Sequence, residues 1–318
     1  MVGDGRRRSL PPALIWIALT VVAAAWLGVG MEKRFAARAE GWARRAILVS
    51  LYTAVPFVAF TNLSRLEIDL DVGAGIGLAY VAVGIVTALA WFAAGARGMS
   101  RPRQGAVACS TLIVNSGYLG YPLTLALLGG DDLPRAVAYD TLVAAPCVLV
   151  IGFAIGAATG TKAGDRPIER VRAFFFRNPP LLAAVAGLLV PASAVPDLLV
   201  DASRGLVIAL LPVGFAAVGV ALSAESRRGA FEFPAPPSRP VVAVMALRAA
   251  APLVLLAISA PLIDLPAAYL LIAAMPTGIN SLIVAHAYGL DLRITAEAIA
   301  WTTAVAIPAA FVAATVGA

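Results

Sequence analysis

Long uncharged runs separated by short polar breaks organise the chain. Residues 72–96, 104–130, 141–161, 205–224 and 298–318 contain no Asp, Glu, Lys or Arg. Each is long enough to cross about 30 Å of hydrocarbon as a helix, which takes about 20 residues. Lipid offers the backbone no hydrogen-bond partners, so only helices or closed barrels cross it, and these runs lack the period-two alternation of barrel strands. The pattern predicts an all-α integral membrane protein with ten transmembrane helices. They are placed near 10–30, 46–63, 73–95, 105–128, 135–158, 179–195, 199–223, 241–263, 267–289 and 294–317. The uncharged run after Arg6, Arg7 and Arg8 exceeds the apolar core of a secretory leader and is read as a retained helix.

Composition agrees with this reading. Hydrophobic residues make up 61% of the 318 and charged residues 13%, against roughly 45–50% and 25% in a soluble domain. Most of the 24 Lys and Arg residues fall in the loops after the odd-numbered helices, including 31–45 and 159–178. The positive-inside rule then places both termini outside a cytoplasmic (inner) membrane that the chain crosses many times, although Arg6 to Arg8 pull locally the other way. Loops lying against anionic lipid account for the net charge of +6 without a nucleic-acid partner. Cys109 and Cys147 lie inside predicted helices without a CxxC pattern, so they read as small packing residues rather than metal ligands. No GxGxxG or Walker loop is present, and neither a cofactor nor a metal is expected.

The chain repeats itself. The first and sixth predicted helices both open with Pro-Pro (Pro11, Pro12 and Pro179, Pro180), and the second and seventh carry mid-helix Pro56 and Pro212. In the fifth and tenth, Thr141 to Pro146 parallels Thr303 to Pro308 at the same spacing. Five helices is an odd number, so the second copy enters the membrane inverted, as in secondary transporters. The expected division is 1–158 for the first repeat, 159–178 for a cytoplasmic connecting loop and 179–318 for the second repeat.

The equivalent fourth and ninth helices are both interrupted. The fourth reads IVNSGYLGYP, from Ile113 through Asn115, Ser116, Gly117, Tyr118 and Gly120 to Pro122, and the ninth runs Met275, Pro276, Thr277, Gly278, Ile279, Asn280, Ser281. Pro276 removes a backbone donor, and the glycines permit non-helical dihedrals. Broken backbone at membrane depth survives only where it is buried or lines a wet cavity, and half-helix N-termini carry partial positive charge that suits an anion. The alternative is a pair of packing kinks, with Asn115 and Asn280 as interhelical hydrogen-bonding residues.

NSGYLGYPL in the fourth helix, MPTGINSLIVAHAYGLD in the ninth and TTAVAIP beyond it resemble the auxin efflux carrier family, which includes plant PIN proteins and bacterial malate and malonate permeases. The resemblance implies a fold related to bile-acid sodium symporters, in which the two broken helices cross. It also implies a dimerising scaffold of helices 1, 2, 6 and 7, and a moving transport unit of helices 3–5 and 8–10. Asn115, Pro122 and Pro276 match the family's crossover positions, and Asn280 matches the bacterial form of the second motif. The long hydrophilic loop of many plant members is absent, the segment from Gly160 to Arg177 being short.

The expected function is secondary transport of a small organic anion, a carboxylate, by an elevator-like mechanism. The expected partners are that anion, protons, membrane lipids and a second copy of the chain. Asn115, Ser116, Gly117, Tyr118, Pro122, Pro276, Thr277, Gly278, Asn280 and Ser281 form the candidate substrate site. His286, Asp140 and Glu297 are candidates for proton coupling, because ionisable groups in the membrane are costly. Arg248 either attracts anions or snorkels to the cytoplasmic interface, and the second reading is preferred. Sodium-coupled symport and an anion channel are the alternatives. An intramembrane enzyme is disfavoured: Tyr139-Asp140 lacks a GxGD partner, Ser116 has no GxSG around it, and a single histidine rules out HExxH.

Overall fold

A computed structural model describes residues 12–162, 179–229 and 236–316. The N-terminal arginines and most of the 159–178 loop lie outside these residues. Twelve helical elements carry the described chain. They are α1 (Pro12–Phe35), α2 (Ala37–Leu63), α3 (Leu70–Ala96), α4 (Arg101–Leu112), α5 (Tyr121–Leu127), α6 (Gly130–Thr159), α7 (Pro179–Leu189), α8 (Asp197–Arg227), α9 (Arg239–Ser259), α10 (Ala267–Ala273), α11 (Asn280–Tyr288) and α12 (Leu292–Val316). Seven of them, α1, α2, α3, α6, α8, α9 and α12, are long and apolar enough to cross a membrane. The protein is therefore all-α and membrane-spanning. Among the described residues the only β pairing is one isolated bridge, between Val114 and Thr277.

Two expected boundaries change. The basic stretch 31–45 is not a loop: α1 continues to Phe35 and α2 starts at Ala37, with Ala36 alone breaking the path at φ 44°. Its Ala, Arg, Glu and Lys residues are good helix formers, and Glu32 and Glu40 find partners on α8, so the polar stretch stays helical beyond the apolar span. The helix from Pro179 stops at Leu189 rather than 195, because the residue before Pro191 is steered out of helical dihedrals.

Prolines inside the spans are absorbed in two ways. Ahead of Pro56 and Pro146 the helix widens to a π-helical turn, over Ser50–Ala54 and Asp140–Ala144. Such turns re-register hydrogen bonds around a ring that can neither donate nor fit. Around Pro212 and Pro308 the α-helix simply continues.

Packing follows small residues. α1 lies along α8 in the most extensive helix pairing of the fold. Gly28 and Gly219 make this possible, because a Cβ on Gly28 would meet Ala216 O at 2.1 Å and one on Gly219 would meet Ala25 O at 2.0 Å. α7 packs against the second part of α2 in the same way, with Gly187 over Phe60 O. A second set joins α3 to α4 and α9, and α4 to α6. Gly219→Val is expected to force α1 and α8 apart and lower stability by about 2 kcal/mol, the usual scale of overpacking. Thermal unfolding in detergent checks this, with Gly77→Val as the control, since nothing lies within 4 Å of a Cβ at Gly77.

Candidate functional site

Two segments built from paired short helices, α4–α5 and α10–α11, meet at their breaks. α4 ends at Leu112, after which Ile113 is extended, and a π-helical turn over Ser116–Gly120 leads into α5. α10 ends at Ala273, and α11 begins at Asn280. Between these ends the chains pair antiparallel: Asn115 N donates to Pro276 O at 2.8 Å, and Gly278 N donates to Ile113 O at 2.9 Å. Only glycine fits at 278, where a Cβ would lie 2.6 Å from Val114 O and 2.9 Å from Val114 C.

This pairing diverts donors that would have continued each helix. Asn115 N, the helical partner of Thr111 O, goes instead to Pro276 O, while Thr277 N, the partner of Ala273 O, takes Thr302 Oγ1 at 3.0 Å. Freed carbonyls at membrane depth need new donors. Arg248, 3% exposed, supplies them: Nη1 donates to Thr111 O at 3.0 Å, Nη2 to Ala273 O at 2.9 Å and to Met275 O, and Nε to Met275 O at 3.1 Å. The expectation that Arg248 snorkels to the interface is thus overturned. A guanidinium's planar fork matches several carbonyls at once, and this buried demand outweighs the pull of water. Thr277 Oγ1 also donates to Ser110 O at 2.8 Å, tying the two breaks a turn further back.

Asp140 belongs to the same site. Its carboxylate accepts hydrogen bonds from Ser116 Oγ and, at 2.6 Å, from Tyr121 Oη. A carboxylate is thereby held beside the start of the 116–120 turn, where helix polarity favours negative charge. Tyr118 packs its ring on α8 at Gly214, which a Cβ would block at 2.3 Å. The neighbouring Ile279 and Leu282 pack with Ala217 and Val218 of α8. Ser281 Oγ donates to Gly278 O at 2.7 Å and Pro122 is buried in the first turn of α5, while Gly117 is half-buried and open. The side chains of Asn115 (buried) and Asn280 (half-buried) have no hydrogen-bond partner among the described residues.

The other two coupling candidates lie elsewhere. His286, 46% exposed, is at the far end of α11, where Nε2 is 3.0 Å from Glu225 of α8. Glu225, nearly fully buried, also pairs with Arg228, which reaches Glu40, and Arg227 bridges Glu40 and Glu32. Glu297 accepts from Arg293 Nε at 2.8 Å and from Ser238 N, at the start of α9. Both are helix-end arrangements, and the contacts that hold them are not with the breaks. At the opposite end of the molecule from Glu225, a cavity of about 710 Å³ opens between the α2 and α8 ends and the start of α6. Asn62, Arg65, Arg135, Arg204, Asp131 and Asp197 are among its lining residues.

Arg248, Thr302, Tyr121 and Glu225 were not among the sequence candidates for the site. A lone arginine within an otherwise apolar helix was the signal for Arg248; the others carry no signal until their partners are known. Among the described residues no group of three His, Cys, Asp or Glu side chains converges as a metal site.

Comparison with known proteins places the second half of the chain. Residues 170–313 match a family described as membrane transport protein. A protein of Methanothermobacter thermautotrophicus named as an uncharacterized transporter is 30% identical over 146 residues. That alignment covers 44% of this chain and 45% of the relative, so the chain spans less than half the length of the protein it matches. The matched region includes Arg248, the second break and His286.

Proposed function

We propose that the chain is a membrane transporter of auxin efflux carrier type, its second half carrying the family match, and that it moves a small organic anion, a carboxylate, by elevator-like alternating access. One observation carries the reading: two broken segments cross at their breaks, with the free amides of Asn115 and Asn280 beside half-helix N-termini and a buried guanidinium behind them. Amides and helix N-termini bind a carboxylate without a fixed counter-charge that would hold it too tightly to release. Asp140 already occupies the start of the first break, so the start of α11 is the more open anion seat.

In this reading ten segments cross the membrane. The seven long helices are joined by α7 and by the two broken pairs α4–α5 and α10–α11, giving two inverted halves of five. α1, α2, α7 and α8 form a dimerising scaffold, and the remaining helices form the transport unit, which rides on α8 through Tyr118, Ile279 and Leu282. The basic ends face the cytoplasm and both termini lie outside. The 710 Å³ cavity is then an outer vestibule, and the Glu225–His286 contact closes the inner end.

Export of an anion from a negative-inside cell gains roughly 2.3 kcal/mol per charge at 100 mV, whereas uptake needs a co-transported cation. We read the carrier as driven by potential or by protons. Purified protein in sodium-free proteoliposomes is expected to move labelled mono- or dicarboxylates in a saturable manner when a potential or pH gradient is imposed. A strict sodium requirement would refute this coupling, and flux that does not saturate would mark a channel.

A further inference from the structure

We propose that Arg248 is the resident cation of the crossover: it neutralises the C-terminal ends of both broken helices, so that no inorganic cation has to bind for the site to accept an anion. The inference rests on the carrier reading above and adds to it the residue that sets the site's electrostatics.

Each α-helix ends in unpaired carbonyls equivalent to roughly half a negative charge. α4 and α10 both end at the crossover, which together amounts to about one negative charge at membrane depth. Left bare, that charge repels the anion expected there and is costly in a medium without water. Either a captured metal ion or a protein cation can offset it. Thr111 O, Ala273 O and Met275 O converge on one buried guanidinium, from both helix ends at once. Arg248 makes no ion pair with a carboxylate among the described residues, so its charge is spent on the carbonyls alone. One full positive charge against two half charges leaves the C-terminal side of the crossover close to neutral. The N-terminal ends at Ser116 and Asn280 keep their positive character, offset at the first by Asp140. Arg248 is thus a positioning residue: it touches backbone, not substrate, and it fixes both half-helix ends at the spacing the bridge requires.

A cation role differs from a packing role in that a free cation can replace it. Wild-type flux and melting temperature in proteoliposomes and detergent are expected to be the same in sodium, potassium or choline chloride. Arg248→Ala is expected to lose flux by about 100-fold, the scale at which small misplacements act. Millimolar guanidinium chloride should then restore part of that flux and raise the melting temperature, neither of which happens with choline or in the wild type. Arg248→Lys keeps a charge, and Arg248→Met keeps length without one, so the first should retain several-fold more flux than the second. Equal flux in Lys and Met variants, or an Arg248→Ala protein indifferent to guanidinium, overturns the proposal, as does a sodium requirement in the wild type. The melting measurement needs no substrate. A guanidinium-stabilised Arg248→Ala protein whose wild type moves no carboxylate would sink the transport reading and leave the resident cation standing.

Discussion

Gly278→Ala is expected to abolish transport, lowering flux by about 100-fold or more and stability by about 1–3 kcal/mol. The added methyl would meet Val114 O at 2.6 Å, Val114 C at 2.9 Å and Asn115 N at 3.3 Å. All three are backbone atoms, which cannot swing aside as a side chain does. Relief requires the two strands of the crossover to separate, and separation breaks Gly278 N to Ile113 O and Asn115 N to Pro276 O. With those bonds gone, Thr111 O, Ala273 O and Met275 O no longer converge on Arg248. A one-methyl change therefore unlocks the whole arrangement. Gly120→Ala is the instructive comparison: its nearest neighbours are Ile272 Cδ1 at 2.6 Å and Met275 Cγ at 3.2 Å, flexible side-chain atoms that can give way. It is expected to retain more flux than Gly278→Ala. Flux assays on reconstituted protein and thermal unfolding in detergent read both effects. Wild-type flux in the Gly278→Ala chain would mean that the bridge is incidental to transport.

The parts of the site that could be read from the sequence are those governed by local backbone chemistry. Pro276 with Gly278 signalled the break in one segment and Asn115 with Gly117 the break in the other, although the same Pro-x-Gly spacing at Pro212 and Gly214 leaves α8 unbroken. The membrane-spanning all-α class was legible for a similar reason, since uncharged run length answers to bilayer thickness. What stayed hidden depends on partners distant in sequence. Arg248 looks like any arginine within two turns of a helix start; its fate turns on which face of α9 meets the crossover, and that is set by α4 and α10. Glu225 and His286 sit on different helices, and neither signals the other. The 31–45 stretch misled because charge density marks a membrane boundary without marking the end of a helix. α1 and α2 carry their polar ends past that boundary and pair them with Arg227 and Arg228.

The three coupling candidates differ in what holds them. Glu297 is held by Arg293 and the start of α9, and His286 is half exposed at an end of α11. Asp140 alone is bonded to the broken segment, through Ser116 Oγ and Tyr121 Oη. Its protonation would change both contacts: a carboxylate accepts from two hydroxyls, whereas a carboxylic acid must itself donate one proton. A proton arriving at Asp140 therefore loosens the start of the 116–120 turn, next to the amide of Asn115. Asp140→Asn mimics the neutral state permanently, and hydrogen bonds to a charged group contribute about 1.5–3 kcal/mol each. The variant is expected to lose flux by about 100-fold, the low end of what one proton-transferring group contributes. Whatever flux remains should follow an imposed potential and no longer respond to an imposed pH gradient. Glu297→Gln and His286→Ala should keep the pH response at reduced or normal rates, with His286→Ala chiefly weakening closure at the Glu225 end. The measurement is carboxylate flux in sodium-free proteoliposomes for all three variants, under each gradient separately. A full pH-gradient response in Asp140→Asn would remove Asp140 from coupling and return it to a structural part in holding Ser116 and Tyr121.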